Sequence, residues 1–75
     1  MKEERSIRLE TLNNDKEKEI LLLMKSKGTC VYGEIIRQTR LSYSKGKELI
    51  YSLLNKGYLR YVGRSTKLEL AVGVH

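Results

Sequence analysis

The 75-residue chain has one cysteine, Cys30, one histidine, His75, and one aspartate, Asp15, and it lacks phenylalanine and tryptophan altogether. A lone cysteine forms no intrachain disulfide, and one Cys with one His falls short of the four ligands of a structural zinc centre. Nucleophile, base and orienting acid cannot be grouped from so few candidates, so no enzyme, cofactor, metal site or small-molecule ligand is expected. No apolar run approaches the roughly 18 residues that would suggest a membrane-spanning helix. The acidic start, Glu3 and Glu4, is unlike the basic and then apolar opening of a secretory signal, so a cytoplasmic protein in a reducing compartment is expected. Apolar residues make up 40% and charged residues 32%, a globular balance. At this length the expectation is one domain over 1–75, able to bury roughly 60% of the unfolded chain's surface.

What the chain does have is positive charge, and its distribution is uneven. Residues 1–36 carry seven basic and seven acidic side chains, whereas residues 37–67 carry eight basic ones (Arg37, Arg40, Lys45, Lys47, Lys56, Arg60, Arg64, Lys67) against Glu48 alone. That second stretch therefore carries +7, which Glu69 in the tail brings to the net +6. Such polarisation points to a polyanionic partner, with nucleic acid ahead of a membrane surface because the stretch is not one basic amphipathic helix. A basic face kept for solubility is the alternative.

Periodicity and punctuation order the chain into three helices followed by a hairpin. Residues 1–12 read as an N-terminal arm or short strand, since Ile7 and Leu9 alternate with polar neighbours before the pattern lapses. Asn13 and Asn14 are good N-cap residues, Asp15, Glu17 and Glu19 suit a helix start, and Lys25 and Lys27 suit its end before Gly28, which predicts a helix over about 14–27. Its centre, Ile20 to Met24, is apolar all round, so something must cover a second face: the arm or a second copy of the chain. Thr29-Cys30-Val31 allows only a brief strand or extended link, with Cys30 as a small buried hydrophobe. A second helix is predicted over about 32–39 with Tyr32, Ile35 and Ile36 inward, then a turn at Arg40-Leu41. Ser42 caps a third helix, 43–55, ended by Gly57. On its wheel Leu49, Ile50, Leu53 and Leu54 share a face with Gly46, whose missing side chain permits close helix contact, while Ser44, Lys47, Glu48, Tyr51 and Asn55 face the other way. Tyr58–Val62 and Lys67–Val72 alternate like half-buried strands around the turn Gly63-Arg64-Ser65-Thr66, and Leu59, Leu68 and Leu70 should pack on the helices.

Two short helices around a tight turn, followed directly by a hairpin, resemble the winged helix-turn-helix family, and residues 41–62 (LSYSKGKELIYSLLNKGYLRYV) are similar to its recognition helix and its entry into the wing. The likeness covers residues 14–72 and extends in style to small regulators of archaea, their viruses or plasmids. It implies an α+β fold and a transcriptional regulator that binds double-stranded DNA, with helix 43–55 in the major groove and the hairpin wing 58–72 on the backbone or minor groove. By the same resemblance Ser44 and Lys47 fall where family members read bases, and Arg64 where the wing meets DNA. A helix N-terminus reaching base edges with cations beside it is also sound physics without the likeness. The candidate DNA contacts are Arg40, Ser42, Tyr43, Ser44, Lys45, Lys47, Tyr51, Arg60, Arg64, Ser65 and Lys67.

Several features temper that assignment. Glu48 repels phosphate unless it reads a cytosine amino group or pairs with Lys45 or Arg40, and Tyr51 could equally be a core-edge residue. Gly46-Lys47-Glu48 matches the end of a phosphate-binding loop only superficially, because Leu41 stands where the first glycine is required and position 48 is not Ser or Thr. Tyr58 and Tyr61 fit packing around the sheet better than base stacking, and His75 reads as a frayed end. A module for protein–protein interaction or RNA binding is the alternative function. For the cover of the first helix a homodimer is preferred, which would set two recognition helices one turn of DNA apart on an inverted repeat.

Overall fold

In the computed structural model, which describes residues 6–75, the elements run in the order β1 (Ser6–Ile7), a single 3-10 turn (Leu9–Thr11), α1 (Asp15–Lys27), β2 (Thr29–Cys30), α2 (Tyr32–Thr39), α3 (Tyr43–Asn55), β3 (Leu59–Tyr61), β4 (Leu68–Leu70) and β5 (Gly73–Val74). The first five residues of the expected arm, Glu3 and Glu4 among them, lie outside the described residues.

The helices start and stop where local chemistry directs. Asn14 caps α1, its side-chain oxygen accepting from the backbone N–H groups of Lys16 (2.8 Å) and Glu17 (3.1 Å). Gly28, at φ 90°, ends that helix and returns its N–H to the carbonyl of Met24. The end of α2 is a Schellman arrangement: the N–H of Arg40 bonds to the carbonyl of Arg37, and that of Leu41 to the carbonyl of Ile36 (3.2 Å). Lys16 of α1 reaches the same end, donating to the carbonyl of Thr39 at 3.0 Å, a cation at a helix C-terminus. Ser42 then caps α3 by accepting from the N–H of Lys45.

The three helices pack around Ile20, Leu21, Met24, Ile35, Ile50 and Leu53, all fully enclosed. Gly46 lies where α3 crosses α2, and a β-carbon there would overlap the Ile36 side chain, as the wheel of α3 anticipated. A buried carboxylate ties α1 to the far end of α3: Glu17 accepts from the Ser52 hydroxyl (3.2 Å) and the Lys56 ammonium (3.1 Å). Its sequence position had suggested only a contribution to the helix start.

The sheet is larger than a hairpin. β4 lies between β3 and β2, both antiparallel to it, so the brief strand at Thr29–Cys30 joins as a third strand, with Cys30 opposite Leu68. β3 and β4 are shorter than the alternating runs Tyr58–Val62 and Lys67–Val72 suggested, although backbone bonds from Ala71 to Tyr58 and from Val62 to Lys67 extend the pairing. Leu59 and Leu68 are buried as expected, whereas Leu70 is only half-buried.

The two ends of the chain pair with each other. Val72 bends out of the sheet, and β5 pairs in parallel with β1, Ser6 opposite Gly73 and Ile7 opposite Val74. His75 is not frayed in its backbone: its N–H donates to Ile7 and its carbonyl accepts from Leu9 at 2.9 Å. Ile7, Leu9 and Leu12 consequently pack on the core, and β5 lies against α1. Ile20, Leu21 and Met24 of the all-apolar centre are thus covered within one chain, while Leu22 stays 49% exposed and Leu23 half-buried. The architecture is a small α+β domain of three helices with a three-stranded antiparallel sheet and a two-stranded parallel pair.

Candidate nucleic-acid interface

The outward face of α3 is built by the cap at Ser42 and the apolar stripe opposite. Because Leu49, Ile50 and Leu53 point into the core, Ser44, Lys47, Glu48 and Tyr51 are turned away from it. Tyr43, Ser44, Lys45 and Tyr51 are exposed and Lys47 is half-covered. The Ser42 oxygen is engaged as the cap, leaving its hydrogen to donate outward. Glu48 lies 3.5 Å from Lys45, one turn away, so the two largely neutralise one another on this face.

The cations divide into two groups. Arg60 stands opposite Glu69 across β3 and β4, its Nε 2.7 Å from the carboxylate, and Lys56 is held by Glu17. Both cations lie at the surface, Arg60 58% exposed, so each is shared with a carboxylate in the free protein while staying reachable from solvent. Arg37, Arg40, Lys47, Arg64 and Lys67 make no ion pair among the described residues. Arg64 lies in the hairpin turn and Lys67 follows it. Ser65 shapes that turn, donating to the carbonyl of Val62 at 2.6 Å and accepting from the N–H of Lys67.

Four of the chain's five tyrosines meet beside α3, a grouping that reading along the chain did not find. Tyr32 opens α2, Tyr43 and Tyr51 lie two turns apart on α3, and Tyr61 ends β3. The Tyr32 and Tyr61 hydroxyls are 2.5 Å apart, and the Tyr32 ring meets the Tyr51 ring edge-on at 6.0 Å between centroids. Burial and the bond to Tyr61 push the Tyr32 hydroxyl well above the usual phenol range, so it stays protonated. Lys47 is poised over two rings, its ammonium 5.4 Å from the centre of Tyr43 and 5.8 Å from that of Tyr51. Tyr51 is therefore a member of this patch and not a core-edge residue, and Tyr61 joins it while Tyr58 packs on the core.

Cys30 is buried, and loss of hydration raises its thiol above the ordinary range, which keeps it in the unreactive form. Among the described residues no cluster of three or more His, Cys, Asp or Glu side chains is placed to hold a metal ion, and no helix is long and apolar enough to cross a membrane. In comparisons with known proteins, the chain matches no family model, no curated protein and no solved structure.

Proposed function

We propose that the chain is a winged helix-turn-helix protein that binds double-stranded DNA and regulates transcription by occupying its site, without catalysis. In this reading α3 enters the major groove with Ser44 and Lys47 towards base edges, and the β3–β4 hairpin rests on the backbone or minor groove through Arg64 and Lys67. The observation that carries it is the placement of charge: the helix face opposite the core and the hairpin tip bear cations (Lys47, Arg64, Lys67) that have no carboxylate partner among the described residues, while Glu48 and Glu69 of that region pair with Lys45 and Arg60. A polyanion with regularly spaced phosphates is the partner such a surface suits.

The test is a binding titration against salt. With about five unpaired cations near phosphates, counterion release predicts a log–log slope of roughly −4 to −5. A slope near zero would refute the nucleic-acid reading, and an RNA hairpin bound more tightly than duplex DNA would replace it with RNA recognition. The second reading, a protein-interaction module, is favoured by one feature, the exposed Leu22 beside Leu23 in a shallow groove with Glu19, Gln38 and Thr39.

A further inference from the structure

Tyr32, Tyr43, Tyr51 and Tyr61, with Lys47, line a shallow open cleft of about 210 Å³ between α3, the start of α2 and the end of β3. Tyr43 is 63% exposed, Tyr51 48% and Tyr61 43%. Among the described residues no carboxylate lines this cleft. Tyr32 packs against the core, but Tyr43, Tyr51 and Tyr61 are exposed, and the core beneath is closed by Ile35, Ile50, Leu53 and Leu68. The fold therefore presents a group of aromatic rings with one ammonium over two of them, Tyr43 and Tyr51.

Intact duplex DNA offers little for such a group to hold. Its grooves display base edges, and the flat faces of its bases are covered by their neighbours in the stack. An unpaired base presents a free face, and aromatic rings beside a cation are how sequence-tolerant single-strand readers hold one. Resting on the duplex-binding reading above, we infer that this cleft takes the base of an unpaired nucleotide, stacked on the ring of Tyr43 or Tyr51, with the Lys47 ammonium turning from the base edges it faces on paired DNA to that nucleotide's phosphate. The contact of Lys47 with the two rings is weak at an exposed site and gives way to phosphate. Tyr32 and Tyr61, bonded to each other through their hydroxyls, form the fixed wall of the cleft. The protein accordingly prefers duplex DNA that carries an extrahelical or unpaired nucleotide to the same duplex fully paired, because removing a base from an intact stack costs energy that an unpaired base has already lost.

The experiment uses the intact chain and two duplexes of one sequence, one fully paired and one with a single extrahelical thymine. Since the chain has no tryptophan, its intrinsic emission reports tyrosine directly. The bulged duplex should bind more tightly, by roughly 5- to 150-fold for one stacked base, with quenching of tyrosine emission that the paired duplex does not produce. Tyr43→Ala with Tyr51→Ala should abolish both the preference and the extra quenching. Tyr43→Phe with Tyr51→Phe should keep the preference, because the ring does the stacking. Should the alanine pair unfold, the phenylalanine pair and the native chain still decide the matter. Equal affinity for the two duplexes, or a preference that survives loss of both rings, overturns this inference and leaves duplex binding standing. Failure to bind either duplex overturns duplex binding itself.

Discussion

Arg40 is held at φ 59° and ψ 35°, the left-handed conformation that the end of α2 requires and that glycine adopts most easily. It is the one non-glycine residue with positive φ among the described residues, and it has no carboxylate partner among them. On the DNA-binding proposal, the arginine is kept at this strained C-cap, in place of glycine, for a contact its side chain makes with phosphate. Arg40→Gly should therefore raise stability by about 1 kcal/mol while weakening DNA binding. For a domain of this size the thermal midpoint should rise by roughly 4–8 °C. A midpoint that falls, or an unchanged affinity for DNA, would show that the arginine is there for another reason. Arg60 argues the converse: in sequence it equals Arg64 as a cation, and only the register that sets it opposite Glu69 tells them apart.

At the scale of elements, contacts between near neighbours in the chain were readable and those between distant ones were not. Asn14, Gly28, Ser42 and Gly57 mark the helix ends in the sequence because capping is local, depending on atoms within a few residues. The apolar wheel of α3 likewise located its buried face and the role of Gly46. The tyrosine cleft was hidden because it joins three elements whose residues are up to 29 positions apart, and no periodicity records that meeting. The pairing of β1 with β5 was hidden for the same reason, two residues per strand being too few to alternate visibly. Gly46 provides a sharp test of the packing. Alanine there gains about 1 kcal/mol of helix propensity, but its methyl collides with the β-branched and nearly buried Ile36, and overpacking costs about 1–3 kcal/mol. Ile36 is stiff at χ1 and cannot swing clear, so steric cost should win. Gly46→Ala is expected to lower the thermal midpoint, whereas a higher one would mean that α2 and α3 separate at little cost. The overlap is with Cγ1 and Cδ1 of Ile36, so Gly46→Ala combined with Ile36→Ala, which removes both atoms, should cost less than the sum of the two single substitutions.

For the whole molecule the question is whether one chain is enough. The case for a partner came from five consecutive apolar residues in α1, and the fold answers most of it internally: Ile20, Leu21 and Met24 are enclosed by the other helices, the sheet and the paired chain ends. What remains outside is Leu22, with Leu23 at the edge of a shallow groove. Stable interfaces bury about 800 Å² on each partner, far more than one leucine and its surroundings contribute. A homodimer therefore stands as a separate proposal that must recruit surface beyond α1, and the expected state of the free chain at tens of micromolar is a monomer. Residues 6–12, by contrast, are integral, since their removal takes away Ile7, Leu9 and Leu12 and leaves Gly73 and Val74 without their strand partner. Losing several partly and fully buried aliphatic side chains, at about 1–3 kcal/mol each, consumes much of the 5–15 kcal/mol by which a native domain is stable. Sedimentation and thermal unfolding of the intact chain and of one lacking residues 1–12 decide both points together. The intact chain should sediment as a monomer and the shortened one should be largely unfolded at 25 °C. A dimer whose stability is indifferent to the truncation would overturn this account and restore the helix-to-helix pairing, with an inverted repeat of half-sites roughly 34–36 Å apart as its consequence on DNA.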